Sequence, residues 1–284
     1  MTFAGFDTAR SIAEAVLYEG YLLYPYRKGA LKNHLRWTLG GIQPSRTEGE
    51  PDRTFAQTEC LAQAHDGATL TVRVKFLHLV AARSLGEEAV ERELTLGALR
   101  LDEVLTERIF PFAFSAEHPE QLPVRGHVAV LAGRLADTLY RVRVRLTNQS
   151  GALPGEQASS ASSDLARTLL AAHTLLGLRG GSFVSMIDPP AAWSEYASAC
   201  SNVGTWPVLV GKPAKDVMLS CPIILYDYPE IAAESAGDLF DSTEIDEILT
   251  LRILTLADDE KREIRGADLR ARELLERTER LTPE

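Results

Sequence analysis

Residues 140–146 read YRVRVRL. Successive side chains of a strand point to opposite faces, so Tyr140, Val142, Val144 and Leu146 share one side while Arg141, Arg143 and Arg145 share the other. One apolar face and one solvated face is the signature of an antiparallel sheet half-buried against a core. The same period of two recurs at 69–76, TLTVRVKF, where Leu70, Val72, Val74 and Phe76 oppose Thr71, Arg73 and Lys75. It recurs again at 90–96, VERELTL. Glu91 and Glu93 fall on one face of that segment, and cross-strand ion pairing with the arginine row is the expected use of both.

Around these strands the pattern is mixed. Apolar runs at 206–210 and 217–226 add two strands, the second confined to an edge or a bulge by Pro222. Residues 8–19 repeat Ile12, Ala15, Val16 and Tyr18 at helical spacing, with Asp7 or Thr8 as cap and Gly20 as stop. Residues 164–178 predict a second helix, with Leu165, Leu169, Ala172, Leu175 and Leu176 inward, Ser163 as cap, and Gly177, Gly180 and Gly181 near its end. From Thr243 onward Ile245, Ile248, Leu249 and Ile253 return to helical spacing, and 257–281 reads as one or two charged helices. The turn-forming stretch NQSGALPGEQASSASS at 148–163 is a surface loop or linker. The expected class is α+β: an antiparallel β-sheet or β-sandwich core with flanking helices and a helical C-terminal segment. The chain reads as one compact unit over 1–284, with a subdivision into 1–148, a loop at 149–163, and 164–284 as the alternative.

Composition narrows the function classes. The chain has 284 residues, 45% apolar and 25% charged, which is ordinary for a globular protein. Its net charge of −10 disfavours nonspecific attraction to nucleic acid or anionic lipid. Cys60, Cys200 and Cys221 are odd in number and lack CxxC spacing, so neither a disulfide framework nor a zinc knuckle is expected, and a reducing cytoplasm fits. Asp7, Arg10 and Glu14 interrupt the apolar stretch that a signal peptide needs, and no later segment resembles a membrane span.

Two segments attract a functional reading. Residues 21–44 concentrate Tyr24, Tyr26, Arg27, Lys28, Lys32, Arg36 and Trp37 in an otherwise acidic chain. Arginine forks and aromatic faces suit an anion, a nucleotide or an acidic protein surface, the protein outranking nucleic acid because the rest of the chain is acidic; packed tyrosines with solvated lysines are the structural alternative. Residues 222–254 carry Tyr226 and Tyr228 and the cluster Asp238, Asp241, Glu244, Asp246 and Glu247. That cluster lacks the glycine and the register of an EF-hand, and 241–244 more simply begins a helix whose dipole favours carboxylates. His34, His65, His78, His118, His127 and His173 show no metal spacing, and His173 reads as a core or boundary histidine. Gly180, Gly181 and Ser182 make neither a GxSxG elbow nor a phosphate loop. No catalytic residue, metal ligand or cofactor is nominated.

The segments YEGYLLYPYRKGALKN (18–33), AAHTLLGLRGGSFVSMIDPP (171–190), GTWPVLVG (204–211) and PIILYDYPEIAAESAGDLFDSTEIDEILTLRIL (222–254) together resemble an uncharacterised bacterial family associated with gene clusters for actinobacterial-type NiFe hydrogenases. The resemblance spans 18 to about 263 and brings no catalytic residues with it. It implies an accessory, assembly or structural role, with a hydrogenase subunit or maturation factor as partner. Two docking surfaces are expected: Tyr24, Tyr26, Arg27, Lys28 and Arg36 on one, and Tyr226, Tyr228, Asp238, Phe240 and Asp241 on the other. The alternatives are an enzyme or metal-handling protein using Asp188, Asp238, Asp241 and Glu244, and a homo-oligomeric module pairing strand edges near Tyr226.

Overall fold

The computed structural model describes residues 3–22, 40–45, 53–83, 86–117, 121–151 and 161–231. They form helix α1 (Ala4–Leu22), strands β1 (Phe55–Arg83), β2 (Gly86–Arg100), β3 (Arg108–Phe114), β4 (Val124–Arg134) and β5 (Leu139–Asn148), then helix α2 (Ala161–Ala166) and strand β6 (Leu170–Phe183). A 3-10 turn (Ala191–Trp193), helix α3 (Ser194–Ser198) and strands β7 (Trp206–Val210) and β8 (Val217–Cys221) complete them. All pairings are antiparallel, in the order β3-β4-β5-β1-β6-β8-β7, with β2 added to β1. The described residues are therefore β-rich, with few helices. The helical segment expected after Thr243 lies outside them.

β1 is the spine. Its 29 residues pair with β5 through Gln63 and with β2 from Thr69 onward, while β6 follows along its opposite side. Between Ala64 and Thr69 the register against β6 shifts, and such a bulge bends the strand and sharpens its twist. The two halves of β1 consequently lie in different layers. Phe76, beyond the bend, meets Phe112 and Phe114 of β3 at ring-centroid distances of 6.0 and 5.8 Å although the two strands never pair. Between the layers lies one core to which every strand contributes, including Val72 and Val74 of β1, Leu99 of β2, Val128 and Val130 of β4, Leu176 of β6, Leu209 of β7 and Met218 of β8.

The alternation at 140–146 places Tyr140, Val142, Val144 and Leu146 in that core, as expected. The partners of the outward arginines differ from expectation. β2 flanks the second half of β1 and β5 the first, so Glu91 and Glu93 never reach the arginine row. Arg143 instead donates to Glu59 at 2.7 Å and Arg145 to Gln57 at 2.9 Å, both directly across from them on β1.

The predicted helix over 164–178 is a correction. Helix ends at Ala166, and 170–183 is a strand between β1 and β8. Ala172, Leu176 and Leu178 face the inner core, while Leu175 faces α1. A strand buried on both faces shows no alternation, so an apolar run of this kind gives periodicity nothing to separate from a helix. The glycines expected to end that helix do other work. A Cβ on Gly177 would lie 2.5 Å from the Phe3 ring, so the glycine is what lets α1 seat on the sheet. α1 itself starts earlier than expected and continues through Gly20, burying Phe6, Ala9, Ile12 and Ala13 against Leu175, Val208, Val210, Val217 and Leu219.

Candidate functional site

β8 ends at Cys221, and Pro222 lies just beyond it, buried. The expectation of an edge strand or a bulge over 217–226 is a correction: β8 is an inner strand, and it ends before Pro222, where the missing N–H would interrupt the ladder. The chain then runs extended along the outside of β7 as a strap. Gly40, at φ +60°, sits so close that a Cβ there would be 2.4 Å from the Pro222 ring, which fixes where the strap departs. Ile223 and Leu225 pack inward against the α1 layer, and Ile224 and Tyr226 point out, 75% and 84% exposed.

Asp227 fastens the far end. One carboxylate oxygen accepts the Leu209 N–H at 2.8 Å, and the other accepts the Ser185 hydroxyl at 2.5 Å. Ser185 Oγ in turn accepts the N–H of Asp188 at 2.8 Å. Tyr228, at φ +57°, donates its N–H to the Leu209 carbonyl at 2.7 Å, and Lys212 Nζ lies 5.3 Å from its ring centroid. Burial first, and then Asp227, push the Tyr228 phenol upward from its ordinary pKa. Leu209 therefore has both outward backbone groups satisfied, which closes the edge of β7 to strand addition at that point. This weighs against edge pairing between copies near Tyr226.

Of the expected docking residues, Tyr226 is free on the surface and Tyr228 is a half-buried anchor that packs on the inner core. Tyr24, Tyr26, Arg27, Lys28 and Arg36, and Asp238, Phe240 and Asp241, lie outside the described residues. Ile224, Ile231 (48% exposed) and Trp206 (39% exposed) join Tyr226 in the exposed apolar set and were not anticipated. Their signal was present in the wording: apolar residues alternating beyond a strand-ending proline form an extended segment with one dry and one wet face.

Three buried polar networks contain groups capable of chemistry. On the outer face of β1 and β5, Glu59 accepts from Arg143 Nε at 2.7 Å and from the Ser201 N–H at 2.8 Å, and Asn202 bonds to both backbone groups of Glu59. Ser201 and Asn202 hold the segment after α3 onto the sheet and Arg143 ties Glu59 across to β5, which together make a structural clamp. Under α1, Lys75 is 1% exposed, with Nζ 3.3 Å from Glu14 and 3.1 Å from Glu91. Its cross-strand neighbour His173 bonds through Nδ1 to the Ala171 carbonyl at 2.7 Å and leaves Nε2 without a partner. Burial, opposed by that hydrogen bond and assisted by Lys75, drops the His173 pKa to about 4, so the imidazole is neutral near pH 7. This fits the expected core histidine. At the end of the inner core, His78 Nε2 bonds to the Leu122 carbonyl at 2.7 Å and Arg92 reaches Glu117 at 2.5 Å, which ties Leu122 to β1 and Glu117 to β2.

Cys60 is buried among core side chains, and burial pushes its thiol far above the usual range, the opposite of an activated nucleophile. Among the described residues no three His, Cys, Asp or Glu side chains are grouped to hold a metal ion, and Asp188 stands exposed, apart from any such group. No described helix is long and apolar enough to cross a membrane. No protein-family model and no curated protein matches the chain.

Proposed function

We propose that this chain is a non-enzymatic accessory protein that holds a protein partner, and that its partner is a component of NiFe hydrogenase biogenesis or of the hydrogenase complex. The single observation that carries the binding role is the strap. Ile224 and Tyr226 are held outward on a segment fixed at both ends by Pro222 and Asp227, so their exposure is built in and is not a frayed terminus. Exposed aromatic and aliphatic side chains on a rigid support are the usual centre of a protein interface, and burying each contributes about 1.5–3 kcal/mol. The identity of the partner rests on the family resemblance of 18–263, and the cytoplasm is the compartment that the reading entails.

The test is gentle-salt purification of the native chain from its own cells. A hydrogenase subunit or maturation factor should copurify in stoichiometric amount, and Tyr226→Asp should lose it without a change in the urea midpoint of the isolated protein. Copurification unaffected by Tyr226→Asp would place the contact elsewhere. A native preparation with no hydrogenase component would count heavily against the proposed partner.

A further inference from the structure

The sheet has three edge strands, and only one of them is left open among the described residues. In antiparallel pairing a residue directs both backbone groups to one neighbour and the next residue directs both to the other. The Leu178 N–H goes to Asp216 on the β8 side, so from His173 to Leu178 the even residues of β6 serve β8 and the odd ones serve β1. β1 then serves β6 with Arg73 and Lys75, and β2 with Val72, Val74 and Phe76. Followed to the ends of the sheet, the alternation sends Pro207 outward on β7 and Pro111 outward on β3. Each proline lacks its N–H at the position where an added strand would need it.

β2 has no proline in its 15 residues. The same alternation turns the N–H and C=O of Glu91, Glu93 and Thr95 away from β1, and no described strand pairs with them. The two faces flanking this edge differ. On the α1 side Glu93 and Thr95 are exposed and Glu91 half-buried, while on the inner side Leu94 and Leu96 are half-buried against the core. β1, the strand that β2 already holds, answers that pattern with Val72-Arg73-Val74-Lys75-Phe76: basic residues opposite Thr95 and Glu93, apolar ones opposite Leu96 and Leu94.

We propose that the edge of β2, which no described strand covers, accepts an extended segment of a partner protein in which basic and apolar residues alternate. This rests on the reading of the chain as a partner-binding protein and assigns it a second contact, separate from the strap. The added strand receives backbone hydrogen bonds from Glu91, Glu93 and Thr95, sets lysine or arginine beside Glu93, and lays its apolar side chains next to Leu94 and Leu96. Antiparallel pairing of two copies centred on Arg92 would set Glu91 against Glu93, and centred on Glu93 would set that residue against itself, like charges directly opposed that a basic partner segment avoids.

The probe is the end-blocked peptide SVKVRVKS, with SVEVEVES as its acidic counterpart, read by residue-resolved amide exchange on the full chain. The expected result is slowing of about tenfold or more at Glu93 and Thr95, with the basic peptide only. Glu93→Pro, which removes an outward N–H and no bond to β1, should abolish the slowing; Glu93→Lys should weaken it and remains informative if the proline variant folds poorly. Equal binding of both peptides, slowing confined to other strands, edge amides already protected without peptide, or protection that appears with chain concentration alone would each overturn the proposal. Tyr226→Asp should leave peptide binding intact, so failure at this edge and failure of the strap are read separately.

Discussion

His173 shows what a single buried side chain does to the pH response of this fold. Its pKa is near 4 in the folded chain against 6.5 for the ordinary imidazole, because the charged form is excluded from a site between α1 and the sheet. Above pH 6.5 both folded and unfolded chains carry it neutral and its contribution is complete. Below that, the unfolded chain takes up a proton that the folded chain refuses, and stability falls by about 3 kcal/mol by pH 4. The urea midpoint should therefore drop steeply between pH 6.5 and 4, and His173→Asn, which keeps a donor for the Ala171 carbonyl and does not titrate, should flatten that slope. Arg143 makes a second prediction at this scale. Its removal leaves Glu59, whose side chain is 3% exposed, with the Ser201 N–H as the remaining donor to its carboxylate among the described residues. Arg143→Ala should cost about 2 kcal/mol or more in denaturant unfolding, and adding Glu59→Gln should recover part of it, since a neutral amide tolerates burial better than an unpaired carboxylate.

At the scale of elements, legibility follows how many faces a strand buries. β5 and the second half of β1 alternate because one side is solvated or polar, and their facing was readable from valines and arginines. β6 is dry on both sides, and its leucines read equally well as a helix; only its place between β1 and β8, with α1 above, makes it a strand. The strap was half readable. Pro222 announced the end of β8 and the tyrosines announced a surface, yet the role of Asp227 depends on Ser185 and Leu209, residues 42 and 18 positions away. No local pattern encodes that meeting. It also yields a prediction: Asp227→Ala removes the acceptor for the Leu209 N–H, so amide exchange at Leu209 should accelerate at least tenfold while the amides of β8 that face β6 stay protected. An unchanged Leu209 rate would show that the strap is held by Pro222 and Tyr228 without Asp227.

At the scale of the molecule, everything depends on β1 being continuous. Its first half belongs to the layer with β5, β4 and β3 and its second to the layer with β2, β6, β8 and β7, and β6 crosses back to meet the first half at Ala62 and Ala64. The inner faces of the two layers cover one another, as Phe76 against Phe112 and Phe114 shows, while α1 covers the outer face of the second layer. A layer that opened would expose that shared apolar face, so partial unfolding costs nearly as much as complete unfolding. The described residues on either side of 152–160 should thus lose structure together. Far-ultraviolet circular dichroism, which follows the strands, and fluorescence of a Trp37→Phe variant, in which Trp193 and Trp206 report on the segment after β6 and on β7, should give superimposable urea curves. A Trp206 transition well ahead of the strand signal would mean that β7, β8 and the strap form a separately melting unit, and the surface around Tyr226 would then be presented by the less stable part of the protein.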